Sequence, residues 1–207
     1  MFSGRSGAII ATIAVIGWFA AGLYYFVLAP ESVRNSQMPI AQTEATAAIG
    51  GPFSLVDQDG KRVTDQTYAG KFLLIYFGYT YCPDVCPSSL YAMTETLDIL
   101  GEKAARVQPI LITVDPERDT PEILKQYVTN FHPSLVGLTG SPVEVTAAAK
   151  AYRVYFAKAA GDDGDPNNYL MDHSAFIFLM APDGAYITHF SPTATPAEMA
   201  ERLAGLL

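Results

Sequence analysis

An α/β sheet fold behind one N-terminal membrane span is what three features of this sequence predict. The first is a set of short, unbroken apolar runs, Phe72 to Phe77, Pro109 to Val114 and Phe176 to Met180, as expected of strands buried on both faces. The second is the helical spacing and the capping signals that separate those runs. The third is the uncharged stretch from Ala8 to Ala29.

Composition sets the outer limits. The chain has 207 residues, room for one domain of ordinary size and an appendage. Half of the residues are apolar and 16% are charged, which excludes a disordered tail and a coiled coil. Thirteen Lys and Arg against 21 Asp and Glu give a net charge of −8. A phosphate backbone needs a basic face, so no nucleic-acid partner is expected. The 2 cysteines, Cys82 and Cys86, are too few for a four-thiolate zinc or iron–sulfur cage. They allow one disulfide, one mixed-ligand metal site or one redox pair.

Residues 1–7 form a short cytoplasmic end. From 8 to 29 the only strongly polar side chain is Thr12, and about 20 apolar residues at about 1.5 Å each span a bilayer core. Tyr24 and Tyr25 suit the outer interface. The alternative is a cleaved signal peptide. Against it, the run outlasts an h-region, and Pro30 follows the best small-residue cleavage site. Arg5 and the N-terminal amine place the N-terminus in the cytoplasm. The segment is no Arg-rich, Ser-rich presequence, so a bacterial inner membrane is expected, crossed once, with the C-terminal domain in the periplasm. Oxidised thiols persist in that compartment. Residues 30–51 are polar and aperiodic, a flexible tether reaching roughly 25 Å.

The domain proper is read as 52–207. Phe72 to Phe77 is its first buried strand. Leu90, Met93, Leu97 and Leu100 mark a helix over Pro87 to Leu100. Pro109 to Val114 is the second strand. Asp119-Thr120-Pro121-Glu122 opens a helix with a cap and Pro in its first turn. Ser141-Pro142-Val143-Glu144 and Thr195-Pro196-Ala197-Glu198 are capping boxes. Tyr155 to Asp172 is an irregular insertion with Asp162, Asp163 and Asp165, either a solvated loop or a partner-docking one. Phe176 to Met180, the turn Ala181-Pro182-Asp183-Gly184 and Tyr186 to Phe190 make a hairpin. Strand–helix alternation ending in a hairpin and a last helix suggests a thioredoxin-like sheet.

Chemistry concentrates in Gly78-Tyr79-Thr80-Tyr81-Cys82-Pro83-Asp84-Val85-Cys86-Pro87, past the C-terminal end of the first buried strand. Pro83 and Pro87 bias the residue before each away from αR, which draws the thiols on a rigid loop at a helix mouth. Helix amides there favour a thiolate. Three residues separate the sulfurs, not the two of thioredoxin-type enzymes, so both can grip one ion with open angles. A structural disulfide or two buried thiols is the bland alternative.

Two thiolates leave a metal under-coordinated. Of the 3 histidines, His132 reads as a loop residue and His189 as an outer-strand residue. His173, just before the third buried strand, is placed to face the thiols, and is either the third ligand or a satisfied core histidine. Two thiolates and an imidazole suit Cu(I), and Cu(II) with a further ligand; zinc is a possible impostor. Asp84 and Asp172 are either tuning groups or a turn acid and a loop cap.

These residues resemble a known family. Cys82-Pro83-Asp84-Val85-Cys86-Pro87, Val114-Asp115-Pro116-Glu117-Arg118-Asp119-Thr120 and Asp172-His173-Ser174 are similar to the Sco (SenC) copper chaperones. The likeness runs from about Gly51 to Leu207 and includes the single anchor. It implies a thioredoxin-like fold and a copper site at Cys82, Cys86 and His173. It also implies a part in building the binuclear copper centre of cytochrome c oxidase subunit II, with a periplasmic copper donor and a thiol reductant as further partners. Asp115, Arg118 and Asp119 match a family segment but suggest only a strand end and a cap.

The competing class is a membrane-tethered thiol–disulfide oxidoreductase that reduces the cysteines of the target copper site. A third class, a thiol peroxidase, fits poorly. Its Pro-x-x-x-Thr-x-x-Cys setting would need Pro and Thr where Ile75 and Tyr79 precede Cys82, and where Tyr79 and Pro83 precede Cys86.

Overall fold

The computed structural model describes residues 49–160 and 168–207, together with Trp18, Leu23 and Tyr24. The chain divides into the units Met1–Ala47 and Ala48–Leu207, and the fold below is that of the second. The predicted cytoplasmic end, span and most of the tether lie outside the described residues. Among the described residues no helix is long and apolar enough to cross a membrane.

A mixed seven-stranded sheet runs in the order β2-β1-β5-β4-β3-β8-β9. Its strands are β1 (Ser54–Asp57), β2 (Arg62–Thr64), β3 (Phe72–Gly78), β4 (Val107–Thr113), β5 (Val136–Thr139), β8 (Ile177–Met180) and β9 (Tyr186–Phe190). Another two, β6 (Phe156–Ala160) and β7 (Tyr169–His173), pair only with each other among the described residues. Among the described residues the α-helices are α1 (Val85–Leu100), α2 (Pro121–Val128), α3 (Pro142–Ala151) and α4 (Pro196–Ala204), with short 3-10 turns at Asp65–Tyr68 and Gly101–Arg106.

The centre is where the apolar runs placed it. β3 and β4 are parallel, in register from Phe72–Val107 to Gly78–Thr113, and buried at every position. Parallel strands flanked by helices have no wet face, which is why these runs do not alternate. Leu74, Ile75, Phe77, Ile110, Leu111 and Ile112 are fully buried. Each contributes roughly 1.5–3 kcal/mol by leaving water. β8 runs antiparallel to β3, and β9 returns antiparallel to β8.

The caps hold as read. Thr120, Ser141 and Thr195 each accept the backbone N–H three residues on, and each is followed by Pro. Glu144 and Glu198 close their boxes by accepting from the capping residues.

Four local features depart from the sequence expectation. α1 starts at Val85, so Cys86 is helical although Pro87 follows it. A Pro in the first turn removes a donor that has no helical acceptor, and this outweighs the bias on its predecessor. β4 starts at Val107, ahead of Pro109; pairing with β5 begins only at Ile110, so Pro109 sits at an edge-like position. The β1–β2 hairpin and β5 have no long apolar run to announce them. The insertion read as irregular contains the β6–β7 hairpin, in register from Phe156–His173 to Ala160–Tyr169.

Candidate metal centre

β3 delivers the site. Its last residue, Gly78, is buried, and a Cβ there would come within 2.6 Å of Tyr76 Cε1 and 3.1 Å of Cys86 Sγ. The strand ends without a side chain because the Tyr76 ring and the Cys86 sulfur occupy that space. The loop Tyr79–Asp84 then carries Cys82 to the mouth of α1, and Cys86 follows in the first helical turn. Both thiols are free. Cys86 is fully buried and Cys82 nearly so, at 9% exposure.

The thiols are unlike. Cys82 Sγ accepts the Cys86 backbone N–H at 3.4 Å. The hydrogen bond from the Cys86 side chain, one from His173, and backbone N–H groups of Asp84 and Cys86 hold the Cys82 thiol well below its usual range, against burial. Cys86 is pushed up, by that same bond to Cys82 and by burial. The two thiols are therefore inequivalent, with Cys82 the more acidic of the pair.

His173 ends β7 and reaches this pair. Its Nε2 lies 3.4 Å from Cys86 Sγ. Two ligand atoms sharing a small ion stand roughly 3.5–4 Å apart, given bonds of about 2.0–2.3 Å. The separation is a hydrogen bond that lies close to what a shared ion would require. The rings of Tyr76 and Tyr79 flank the imidazole in T-shaped contacts, with ring centroids 6.0 and 5.9 Å away. Nδ1 is buried without a hydrogen-bond partner among the described residues. No group of three or more His, Cys, Asp or Glu side chains forms a ready-made metal cluster among the described residues. Cys82, Cys86 and His173 converge as a hydrogen-bonded triad with the donor set for a soft metal.

The other candidates are elsewhere. His132 pairs its Nδ1 with Ser134 Oγ at 2.7 Å, and His189 pairs its Nδ1 with the Tyr186 hydroxyl at 2.6 Å. Asp84 is the N-cap residue of α1 but makes no side-chain cap. Asp172 is exposed on the outer face of β7.

Sequence reasoning gave no chemistry to Asp115, Arg118 and Asp119, yet all three brace the site. Asp119 is fully buried, and burial raises its carboxyl's pKa. It accepts from Thr80 N at 3.0 Å, Thr80 Oγ1 at 2.5 Å and Thr113 Oγ1 at 2.6 Å. It thereby ties the loop before Cys82 to the end of β4. Arg118 donates from Nε to Asp115 and from Nη1 to Tyr169 O at 3.0 Å. Its guanidinium lies over the rings of Tyr169 (3.7 Å), Tyr81 (4.7 Å) and Tyr79 (5.9 Å). The one sequence signal was the density of charge just past a buried strand.

Comparison with known proteins shows the family. The SCO1/SenC family model matches residues 41–207. An SCO2-like protein of Rickettsia felis is 39% identical over 205 residues, 97% of this chain and 98% of that protein. The structure of Bradyrhizobium japonicum ScoI with copper bound is 50% identical, with a TM-score of 0.71, covering 77% of this chain and 100% of that one. BsSco, described as a member of the Sco family of cytochrome c oxidase assembly proteins with a disulfide switch, is 27% identical with a TM-score of 0.59, over 76% of this chain and 92% of that one. A match spanning the whole sheet and both halves of the thiol–imidazole site leaves one conclusion: this chain belongs to the SCO1/SenC family.

Proposed function

We propose that this chain is a membrane-anchored copper chaperone with a thioredoxin-like domain. It takes copper through Cys82, Cys86 and His173 and delivers it to the binuclear copper centre of cytochrome c oxidase subunit II. The approach of His173 Nε2 to Cys86 Sγ at 3.4 Å, beside the Cys82 thiolate, carries this reading. Copper is the cargo. Cys82 offers a thiolate without prior deprotonation, Cys86 gives up a proton as the ion enters, and the imidazole completes a trigonal set suited to Cu(I). A donor set of two sulfurs and one nitrogen leaves room for an incoming ligand, which is what transfer by ligand exchange requires.

The segment 8–29 anchors the chain once in a bacterial inner membrane, and 30–51 tethers the domain on the periplasmic side, where a copper donor and a thiol reductant meet it. The uncharged run supports the span, and Arg5 ahead of it supports the orientation.

The unlike thiols favour one further reading, thiol–disulfide exchange with the target's cysteines. A thiolate at Cys82 with a protonated neighbour at Cys86 is a nucleophile beside its resolving thiol.

An anaerobic copper titration separates the two. The reduced chain is expected to bind one copper, and the Cys82–Cys86 disulfide none. His173→Ala should lose most Cu(II) affinity while its thiols still cycle, and should fail to support oxidase assembly. Full oxidase assembly by His173→Ala cells at limiting copper, with either cysteine variant inactive, would replace copper delivery by thiol exchange.

A further inference from the structure

His173 sits on a strand that the main sheet does not hold. Among the described residues β6 and β7 form their own two-stranded sheet. β7 alternates strictly: Tyr169 and Met171 are buried, Leu170 and Asp172 exposed, and His173 is half-buried. Tyr169, Met171 and His173 therefore share its inner face. Whatever fixes Tyr169 fixes the register and height of His173 four residues on, because a strand moves as a unit.

Tyr169 is fixed three times by one cluster. Its hydroxyl donates to Asp115 Oδ1 at 2.8 Å. Its carbonyl accepts from Arg118 Nη1 at 3.0 Å. Its ring lies under the Arg118 guanidinium at 3.7 Å. Asp115 is 1% exposed and Tyr169 is 7% exposed, so the bond between them is shielded from water, while Arg118 keeps 22% of its side chain exposed. Asp115 is itself held to the end of β4, its N–H donating to Thr113 Oγ1 at 2.9 Å. The same guanidinium faces Tyr81, next to Cys82, and Tyr79, whose ring meets His173. One side chain thus spans the loop that carries the first thiol and the strand that carries the imidazole.

Stability alone does not account for Arg118. Its Nη2 is buried with no acceptor among the described residues, a cost that an apolar side chain would not incur. A second tie, Lys158 Nζ to Glu117 Oε2 at 2.7 Å, is solvent-exposed and worth little.

We propose that Asp115, Arg118 and Tyr169 form a latch that holds the β6–β7 hairpin, and through it His173, against the thiols. They are positioning residues that set copper affinity without touching the metal. The proposal rests on the copper reading above.

The test uses the full chain and copper itself. Arg118→Met and Tyr169→Phe are compared with His173→Ala and with the double variant Arg118→Met/His173→Ala, by copper competition titration and by the electron paramagnetic resonance of the Cu(II) form. Loss of an outer partner of a metal ligand typically costs about 10–100-fold in affinity. Arg118→Met is expected to weaken Cu(II) binding by about 10-fold or more and to move the spectrum toward that of His173→Ala. It should cause no further loss once His173 is absent. Tyr169→Phe keeps the ring and carbonyl contacts, so it should move both readouts the same way but less. If Arg118→Met does not fold, Tyr169→Phe carries the same comparison. Unchanged affinity and spectrum, or an equal loss on top of His173→Ala, overturns the latch while the ligand set stands. A His173→Ala chain with the parental spectrum overturns the ligand assignment and the latch together.

Discussion

At the scale of the residue, two identical side chains are made unlike. Donors around Cys82 lower its pKa, and the bond to Cys82 together with burial raises that of Cys86. An ordinary thiol with a pKa near 8.5 loses alkylation rate about tenfold per unit as pH falls below that value. Cys82, its pKa depressed, should keep a nearly constant rate between about pH 8 and 5, with Cys86 unreactive until the chain unfolds. Iodoacetamide labelling read by peptide mass spectrometry checks this, and a log-linear fall at Cys82 would contradict it. Gly78 is the second decisive residue. Gly78→Ala drives a methyl into Tyr76 and Cys86 Sγ, so it should cost about 1–3 kcal/mol in thermal unfolding and weaken copper binding with it. The convergence of Cys82, Cys86 and His173 was legible because few residues offered those donor atoms: 2 cysteines, 3 histidines, and one histidine beside a buried strand. Asp115 and Asp119 were not. Their partners Tyr169 and Thr80 lie 54 and 39 residues away, and no local spacing encodes such contacts.

At the scale of the element, local signals and tertiary context divide the work. α2, α3 and α4 open where Thr-Pro or Ser-Pro pairs say they must, since the cap and the fixed proline φ act within one turn. Ser141→Ala should therefore cost about 1 kcal/mol in denaturant unfolding. Glu144 supplies a pH signature. Bonds from the Ser141 backbone and hydroxyl, and then Arg62, hold its carboxyl down at about 2 from 4.5. A depressed acid stabilises fully above its unfolded pKa, and that share is lost as pH falls through the folded one. Glu144→Gln should flatten the acid limb of the stability curve between about pH 4.5 and 2, and an unchanged slope there would contradict the box. β6 was not legible. Phe-Ala-Lys-Ala-Ala carries no β-branched residue, and it is a strand only because β7 lies beside it. The missed hairpin matters because His173 is on it.

At the scale of the molecule, a sheet whose central strands are buried on both faces supports a site built at the carboxyl end of β3. The buried runs of β3 and β4 made this centre readable, because only an interior strand tolerates seven buried residues in succession. The apolar run at 8–29 adds a prediction of its own. Membrane-extracted protein should keep its original N-terminus, and one beginning near Pro30 would identify a cleaved leader instead. The central claim is that copper sits between Cys82, Cys86 and His173. Copper K-edge X-ray absorption of the reduced, copper(I)-loaded chain tests it most directly, with His173→Ala alongside. Two sulfurs and one imidazole nitrogen are expected, with the nitrogen absent from His173→Ala. A first shell without sulfur, or one that His173→Ala leaves unaltered, would contradict it.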